Sequence, residues 1–228
     1  MKVQVPIITR RTIAANTVEV TFDTSANPLN FVAGQYVSVT VPGPESLSLR
    51  QRTHDFSIAS SALHQEHLSI AFRLSNSPFK QQLSSLPVGT LVTLTGPKGI
   101  FILPDSSQIP LVFIAGGIGI TPFISMLSYT TEAHLGHKID LFYFNLSKAS
   151  EVYGQELRLL AKQNNNLVLH EIYVSFKSDF ITKNISDIPR RIWYVAGPPG
   201  FVTVARYSLL QLGVPASLIH TEEFTGYA

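Results

Sequence analysis

Near residue 104 the spacing of apolar residues changes, and that change limits the chain to folds built from two unlike halves. Up to Leu103 apolar and polar residues alternate. The runs "VQVPIIT" (3–9), "TVEVTF" (17–22), "GQYVSVTV" (34–41), "HDFSIAS" (54–60), "HLSIAFRL" (67–74) and "TLVTLTG" (90–96) are rich in β-branched and aromatic residues and are parted by Gly, Pro, Asn and Ser. Residues two apart on a strand share a face, so the pattern predicts half-buried strands, and short strands at this spacing predict a small antiparallel barrel. "SPFKQQLSSL" (77–86) interrupts it. It begins with a Ser-Pro helix start and places Phe79, Leu83 and Leu86 at helical spacing, which predicts a short helix.

"PDSSQIP" (104–110) is polar, bounded by prolines, and is the expected linker. Beyond it strands feed helices: "PLVFIA" (110–115) precedes a helix from Pro122, and "KIDLFYF" (138–144) precedes "SEVYGQELRLLAKQ" (150–163). "NLVLHEIYV" (166–174) follows, and "RIWYVA" (191–196) precedes "GFVTVARYSLLQLG" (200–213). Such alternation implies a parallel sheet covered on both faces. The expected fold is therefore a two-domain α+β chain, with an antiparallel β-barrel over 1–104 and an α/β parallel-sheet nucleotide-binding domain over 105–228. The chain's 228 residues are enough for two cores.

With 45% hydrophobic and 14% charged residues the chain is an ordered globular protein. Its net charge of +2 comes from scattered Lys and Arg, without the basic stripe of a nucleic-acid binder. The absence of Cys rules out disulfides, thiolate-ligated metals and thiol catalysis, so redox chemistry would need an organic cofactor. The pairs His64/His67 and His134/His137 have no further ligand beside them, and no metal is expected. Ser57 lies in no G-x-S-x-G elbow, and no hydrolase triad is defensible. The opening "MKVQVPIITRRT" has no secretory pattern, so a cytoplasmic location is expected. Residues 109–127 carry no charge over a span that could suit a membrane helix. Gly116, Gly117, Gly119 and an interior Pro122 argue instead for strand, glycine turn and helix.

In "AGGIGITP" (115–122) the glycines permit a sharp turn and close approach of a ligand. Thr121 is placed to cap the next helix, and Pro122 suits its first turn. The free N–H groups of such a helix start suit a pyrophosphate. "YVAGPPGFV" (194–202) repeats the logic, with Gly197, Pro198, Pro199 and Gly200 at a strand's carboxyl end. A plain structural turn is the alternative for each stretch, though two such turns in one sheet point together to a ligand. If 50–56 is extended, Arg50, Arg52, His54 and Phe56 share one face, joining cations to an aromatic ring. Arg73 and the helix start at Ser77–Pro78 form a second anion-binding candidate. Solvation of a strand edge would account for the same arginines.

In order, "HDFSIASS", "SPFKQQLSSLPVGTLVTLTGPKGIFILP", "GGIGITPFISML", "FYFNLSKASEVYGQEL", "YVAGPPGFV" and the closing "EEFTGY" resemble the ferredoxin–NADP reductase superfamily over nearly the whole chain. The resemblance implies FAD on the barrel, NADH or NADPH on the α/β domain, and hydride passing from nicotinamide C4 to flavin N5. It assigns Phe56 to packing on the isoalloxazine and Ser57 to hydrogen bonding near N5. Arg52, His54, Asp55 and Phe72 fall within the same flavin-binding stretches. Arg73, Ser77, Pro78, Phe79 and Lys80 fall where relatives hold the FAD pyrophosphate. Gly116, Gly117, Gly119, Ile120, Thr121 and Pro122 would cradle the donor's phosphates, and Gly197, Pro198 and Pro199 would border the nicotinamide. Glu222 and Phe224 match a terminal carboxylate near the reacting rings and an aromatic covering the flavin; with Ser57 they are the expected catalytic residues.

Three positions depart from that pattern. His54 replaces the usual Arg, which weakens the phosphate anchor unless Arg50 or Arg52 substitutes. Ala196 replaces a common Cys. Leu146 replaces an Arg that meets the NADP 2′-phosphate, with only Lys148 nearby, which favours NADH. The expected activity is an FAD-dependent NAD(P)H reductase handing electrons to a separate acceptor, a ferredoxin-like or other redox protein or a small diffusible molecule. The alternatives are a flavin reductase that takes flavin as substrate, or a nucleotide-binding electron-transfer subunit inactive alone. A flavin-free dehydrogenase would leave the barrel without a task.

Overall fold

A computed structural model describes residues 1–43 and 48–224. Six antiparallel strands form the first sheet: β1 (Lys2–Ala14), β2 (Thr17–Asp23), β3 (Tyr36–Thr40), β4 (Thr53–Ser57), β5 (His67–Arg73) and β6 (Leu91–Lys98). Their order is β4-β3-β6-β1-β2-β5. An antiparallel bridge from Ile58 to Ile70 brings the chain beyond β4 onto β5, so the two sheet edges meet and the sheet curls into a barrel. The alternation in the sequence fills it: Val3, Val5, Ile7, Val18, Val20, Phe22, Val37, Val39, Ile70 and Leu94 share one core. α1 (Pro78–Ser85) follows β5 as the Ser-Pro signal predicts, and buries Phe79, Lys80 and Leu83.

The second sheet contains β7 (Leu111–Gly116), β8 (Ile139–Phe144), β9 (Leu167–Ile172), β10 (Ile192–Gly197) and β11 (Ile219–Glu223), all parallel, in the order β11-β10-β7-β8-β9. Alternate residues of β7 and β8 point to opposite faces. Phe113, Leu141 and Tyr143 pack with α2 (Thr121–Glu132) and α3 (Gly154–Gln163); Val112, Ile114 and Phe142 pack with α4 (Asp179–Thr182) and α5 (Pro199–Gln211). The charge-free stretch is thus β7, a 3-10 turn over Gly117–Ile120 and the start of α2. Among the described residues, no helix is long and apolar enough to cross a membrane.

Four local expectations change. Leu49–Arg52 is a 3-10 turn, capped by the Ser48 hydroxyl and the Gln51 side chain, so Arg50 and Arg52 do not share the strand face of His54 and Phe56. The Ser-x-x-Gln spacing that makes this capping box is readable in the sequence. Thr121 does not cap α2: its hydroxyl donates to the Ile118 carbonyl at 3.1 Å, because the 3-10 turn runs directly into the helix. α3 starts at Gly154, after Tyr153 takes a left-handed conformation (φ 59°). The strand β11 was not anticipated, since "IHTEE" shows no apolar alternation.

The two halves are locked together. Ala33, Ala59, Ala71 and Phe101 join the core beneath α2, where Phe101 meets Tyr194 edge-on at 5.2 Å. The Tyr194 hydroxyl donates to the Ile102 carbonyl at 2.7 Å, and the Ser125 hydroxyl donates to the Ser60 carbonyl at 2.6 Å. Buried Glu19 accepts from the Tyr153 hydroxyl at 2.7 Å and from Arg11 Nε at 2.6 Å. These contacts set the cleft between the sheets.

Candidate functional site

A cavity of about 900 Å³ opens at the carboxyl ends of the parallel strands, where the strand order reverses between β7 and β10. Its walls are Gly116, Gly117 and Ile118 after β7; Phe144, Asn145 and Leu146 after β8; Val174, Ser175 and Phe176 after β9; and Pro198 to Phe201 with Val204 at the start of α5. Arg73, Leu74 and Ser75 close it from the barrel, and Phe224 from beyond β11. The sequence reading missed Phe144, Asn145, Val174, Ser175, Phe176, Phe201 and Val204. Their position at or just beyond a strand's carboxyl end is the signal that would have found the first five.

Gly117 takes φ +55°, and a Cβ there would stand 3.1 Å from Arg73 Nη2. Glycine both permits the left-handed turn and lets the guanidinium reach the backbone. Arg73 Nη2 donates to the Ser150 carbonyl at 3.4 Å, while its buried Nε has no partner among the described residues. The buried Asn145 Oδ1 is in the same state. Buried polar atoms normally have partners, so a cavity with glycine turns and an unmet guanidinium edge fits a phosphate-bearing ligand. Gly119, Ile120, Thr121 and Pro122 are buried behind this wall and do not line the cavity.

On the barrel side, Ser57 ends β4 and its hydroxyl donates to Glu222 Oε1 at 3.0 Å. Burial pushes the Glu222 carboxyl up to about 7, and the bond from Ser57 opposes that rise. Phe224 follows two residues later, with its N–H donating to the Gly197 carbonyl at 3.0 Å. Residues far apart in sequence thus meet at the cleft. The rest of the "EEFTGY" match, Thr225 to Tyr227, lies outside the described residues.

Phe56 lies on the inner face of β4, 5.6 Å from Phe72 and 5.9 Å from Phe79 between ring centres. Phe72 is fully enclosed and backs Phe56 from within the barrel, so it has no surface to offer a cofactor. His54 stacks on Phe79 at 4.4 Å. Burial, then the nearby Lys80 charge, push its imidazole below the ordinary value, which keeps it neutral. Asp55 faces the opposite way, where it accepts from Ser38, which in turn accepts from Lys98 Nζ at 2.7 Å. Ser77 precedes α1 with its hydroxyl free of any capping bond, and the first turn of α1 holds no acidic residue. An aromatic platform beside a buried ammonium and an acid-free helix start fits a flat ring system carrying a diphosphate.

The matches to known proteins follow this division. Residues 4–102 match the family model described as oxidoreductase FAD-binding domain, and residues 113–207 the model described as oxidoreductase NAD-binding domain. Together they span both sheets and the cleft. The chain belongs to the ferredoxin–NADP reductase superfamily. As a member it is an oxidoreductase that binds FAD and a nicotinamide nucleotide. Flavohemoprotein B of Dictyostelium discoideum is 26% identical over 221 residues, covering 85% of this chain and 52% of the relative. The Bordetella pertussis flavohemoprotein is 27% identical, with 89% and 54% covered, so the chain spans about half the length of these relatives. Among solved structures, an Amycolatopsis cytochrome P450 reductase superposes with a TM-score of 0.86 at 22% identity, covering all of this chain and 71% of the other. The ferredoxin-NADP+ reductase of Plasmodium falciparum gives 0.81 at 20% identity, covering 98% and 96%. These superpositions establish the reductase fold.

Proposed function

We propose that this chain takes a hydride from a reduced nicotinamide nucleotide onto FAD and passes the electrons singly to a separate acceptor, a redox protein or a small diffusible molecule. In this reading the barrel, 1–104, holds FAD and the segment 105–228 holds the donor. The observation that carries it is the bond from Ser57 of the barrel to Glu222 of the parallel-sheet half, with Phe224, two residues further on, lining the cavity. The names of relatives, among them flavohemoproteins and a cytochrome P450 reductase, support a haem-containing or similar redox component as acceptor.

When bound, FAD supplies two-electron acceptance and one-electron release, chemistry no side chain of this chain offers. The chain's own residues position and insulate. Arg73 and the Gly116–Gly117 turn hold the donor's phosphates, Pro198 and Pro199 border its reactive ring, and Phe224 shields the ring site from water until the donor arrives. The Ser57 hydroxyl donates to Glu222 Oε1 and orients a carboxyl that gains or releases a proton near neutral pH.

The test is the visible spectrum of the purified protein with FAD, before and after anaerobic NADH and, separately, NADPH. Flavin absorption that co-elutes with the protein and bleaches on addition of NADH supports the reading. Flavin that is reduced only in excess and elutes apart would make flavin the substrate. Failure of both nucleotides to bleach it would leave a binding subunit without turnover.

The cavity favours NADH. Leu146 is 83% exposed at its rim, with Val174 and Phe176 beyond, where a 2′-phosphate would need a cation. Leu146→Arg is expected to raise the NADPH-to-NADH ratio of kcat/KM roughly 10-fold, since one charge-assisted hydrogen bond suffices for that factor.

A further inference from the structure

A buried carboxylate joins the two halves of the molecule beside the donor cavity. Glu19, on β2 of the barrel, is 8% exposed; it accepts from the Tyr153 hydroxyl at 2.7 Å and from Arg11 Nε at 2.6 Å. Arg11 Nη2 also reaches Glu156 of α3 at 3.3 Å. Burial, then the Glu19 charge, hold the Tyr153 phenol far above its ordinary value, so the hydroxyl stays a donor throughout the working range. Tyr153 ends the loop that joins β8 to α3, and the start of that loop, Asn145 and Leu146, forms part of the cavity wall. Two further barrel groups reach the same loop: the Ala15 N–H donates to the Ala149 carbonyl at 3.0 Å, and Arg73 Nη2 donates to the Ser150 carbonyl at 3.4 Å. Between them and Tyr153, the Val152 N–H donates to the Tyr143 hydroxyl of β8 at 2.9 Å.

Two features of this clasp work against stability. Burying a carboxylate carries a desolvation cost that an apolar pair of similar size would avoid. Tyr153 also takes φ 59°, a left-handed conformation that glycine adopts without strain. A tyrosine hydroxyl bonded to a fixed carboxylate supplies what sliding apolar contact does not, a defined distance and direction between the barrel and the loop.

We infer that Glu19 and Tyr153 are positioning residues for hydride transfer: their bond fixes the loop, and with it the donor's reactive ring, against the flavin held by the barrel. This rests on the proposed flavoprotein reading. Neither residue lines the cavity, so both act through the loop and touch no reacting atom. Transfer needs the reacting atoms about 3–3.5 Å apart, and a displacement of about 1 Å lowers the rate about 100-fold.

The experiment compares the original chain with Tyr153→Phe and with the double variant Glu19→Met/Tyr153→Phe, which removes the buried charge together with its partner. Stopped-flow bleaching of bound flavin by saturating NADH reads the transfer step. Calorimetry with NADH on the flavin-free protein reads donor affinity, and thermal melting reads stability. Paired spin labels at Val88→Cys in the barrel and Val168→Cys on β9 read how the halves sit without flavin; both sites are exposed, and the chain has no Cys of its own to compete.

Tyr153→Phe is expected to slow transfer roughly 10- to 100-fold, to leave NADH affinity within about 3-fold and to widen the distribution of label distances. The double variant is expected to melt above Tyr153→Phe, because no buried group is left short of a partner, and yet to transfer hydride as slowly. Should it fail to fold, Glu19→Leu/Tyr153→Phe gives the same contrast. Unchanged transfer in Tyr153→Phe, a fall in NADH affinity as large as the fall in rate, transfer that recovers with melting temperature, or an unchanged label distribution would each overturn the inference. Failure of NADH to bleach the unaltered protein's flavin would instead sink the flavoprotein reading, and the label distances would still test the clasp.

Discussion

Glu222→Gln is expected to lower kcat with NADH about 100-fold, the usual scale for loss of a positioned acid–base group, and to abolish any inflection of the rate near pH 7. The carboxyl is pushed up to about 7 by burial, with the Ser57 hydroxyl donating to it at 3.0 Å, so it exchanges a proton within the working range. Gln keeps the shape and still accepts from Ser57, but it cannot gain or release a proton. The same substitution acts oppositely on stability. A carboxyl whose folded value lies above its ordinary 4.5 helps the fold at low pH, and that help disappears as pH rises through about 7. At pH 8 the original chain therefore keeps a charge half-buried and the Gln variant does not. The expected gain for Gln is on the order of 1 kcal/mol, discounted for solvent screening, and it should vanish near pH 4. Urea unfolding of the flavin-free protein at the two pH values checks this. An equal effect at both would mean that packing, and not ionisation, governs the residue.

Gly119→Ala is expected to destabilise the protein by about 3 kcal/mol and to lower its melting temperature by roughly 6–12 °C. A Cβ at this position would stand 2.3 Å from the Ala196 carbonyl oxygen and 2.7 Å from the Gly197 Cα. Those atoms are backbone of β10, the strand paired with β7, so no side-chain rotation relieves the clash. The 3-10 turn must lift off the sheet and carry Gly117 away from Arg73, so donor binding should fall together with stability. Gly200 is the contrast within the same cleft, since an added Cβ there meets nothing within 4 Å. Calorimetry of Gly119→Ala beside Gly200→Ala separates the two cases, and similar melting temperatures would refute the packing argument.

Much of this was legible before any coordinates. Strict alternation in "TVEVTF" and "HLSIAFRL" specifies which face of β2 and β5 enters the barrel, because the side-chain period of a strand leaves no other choice. "LVFIAGGIGITPF" carries its own order of strand, turn and helix, because each part rests on local conformational preference. The polar strand β11 was not legible, since it forms through backbone pairing of Trp193–Gly197 with Ile219–Glu223 and needs no apolar period. The extension of 50–56 was misjudged for a local reason: the Ser48–Gln51 capping box competes with the strand and wins.

The candidate site divides along the same line. Glycine turns, the Ser-Pro helix start and the terminal carboxylate and aromatic are chain-local features, and the sequence determined them. Which way a cation points is not local. Arg73 reaches across to Gly117 because the barrel and the parallel sheet are held at one angle by Tyr153, Glu19, Tyr194 and Ser125. The proton affinity of Glu222 is likewise a tertiary property, since its displacement comes from burial against the other half of the molecule. Sequence specifies conformations a few residues long through sterics and period; burial and charge depend on what distant segments bring near, and only the assembled fold decides them.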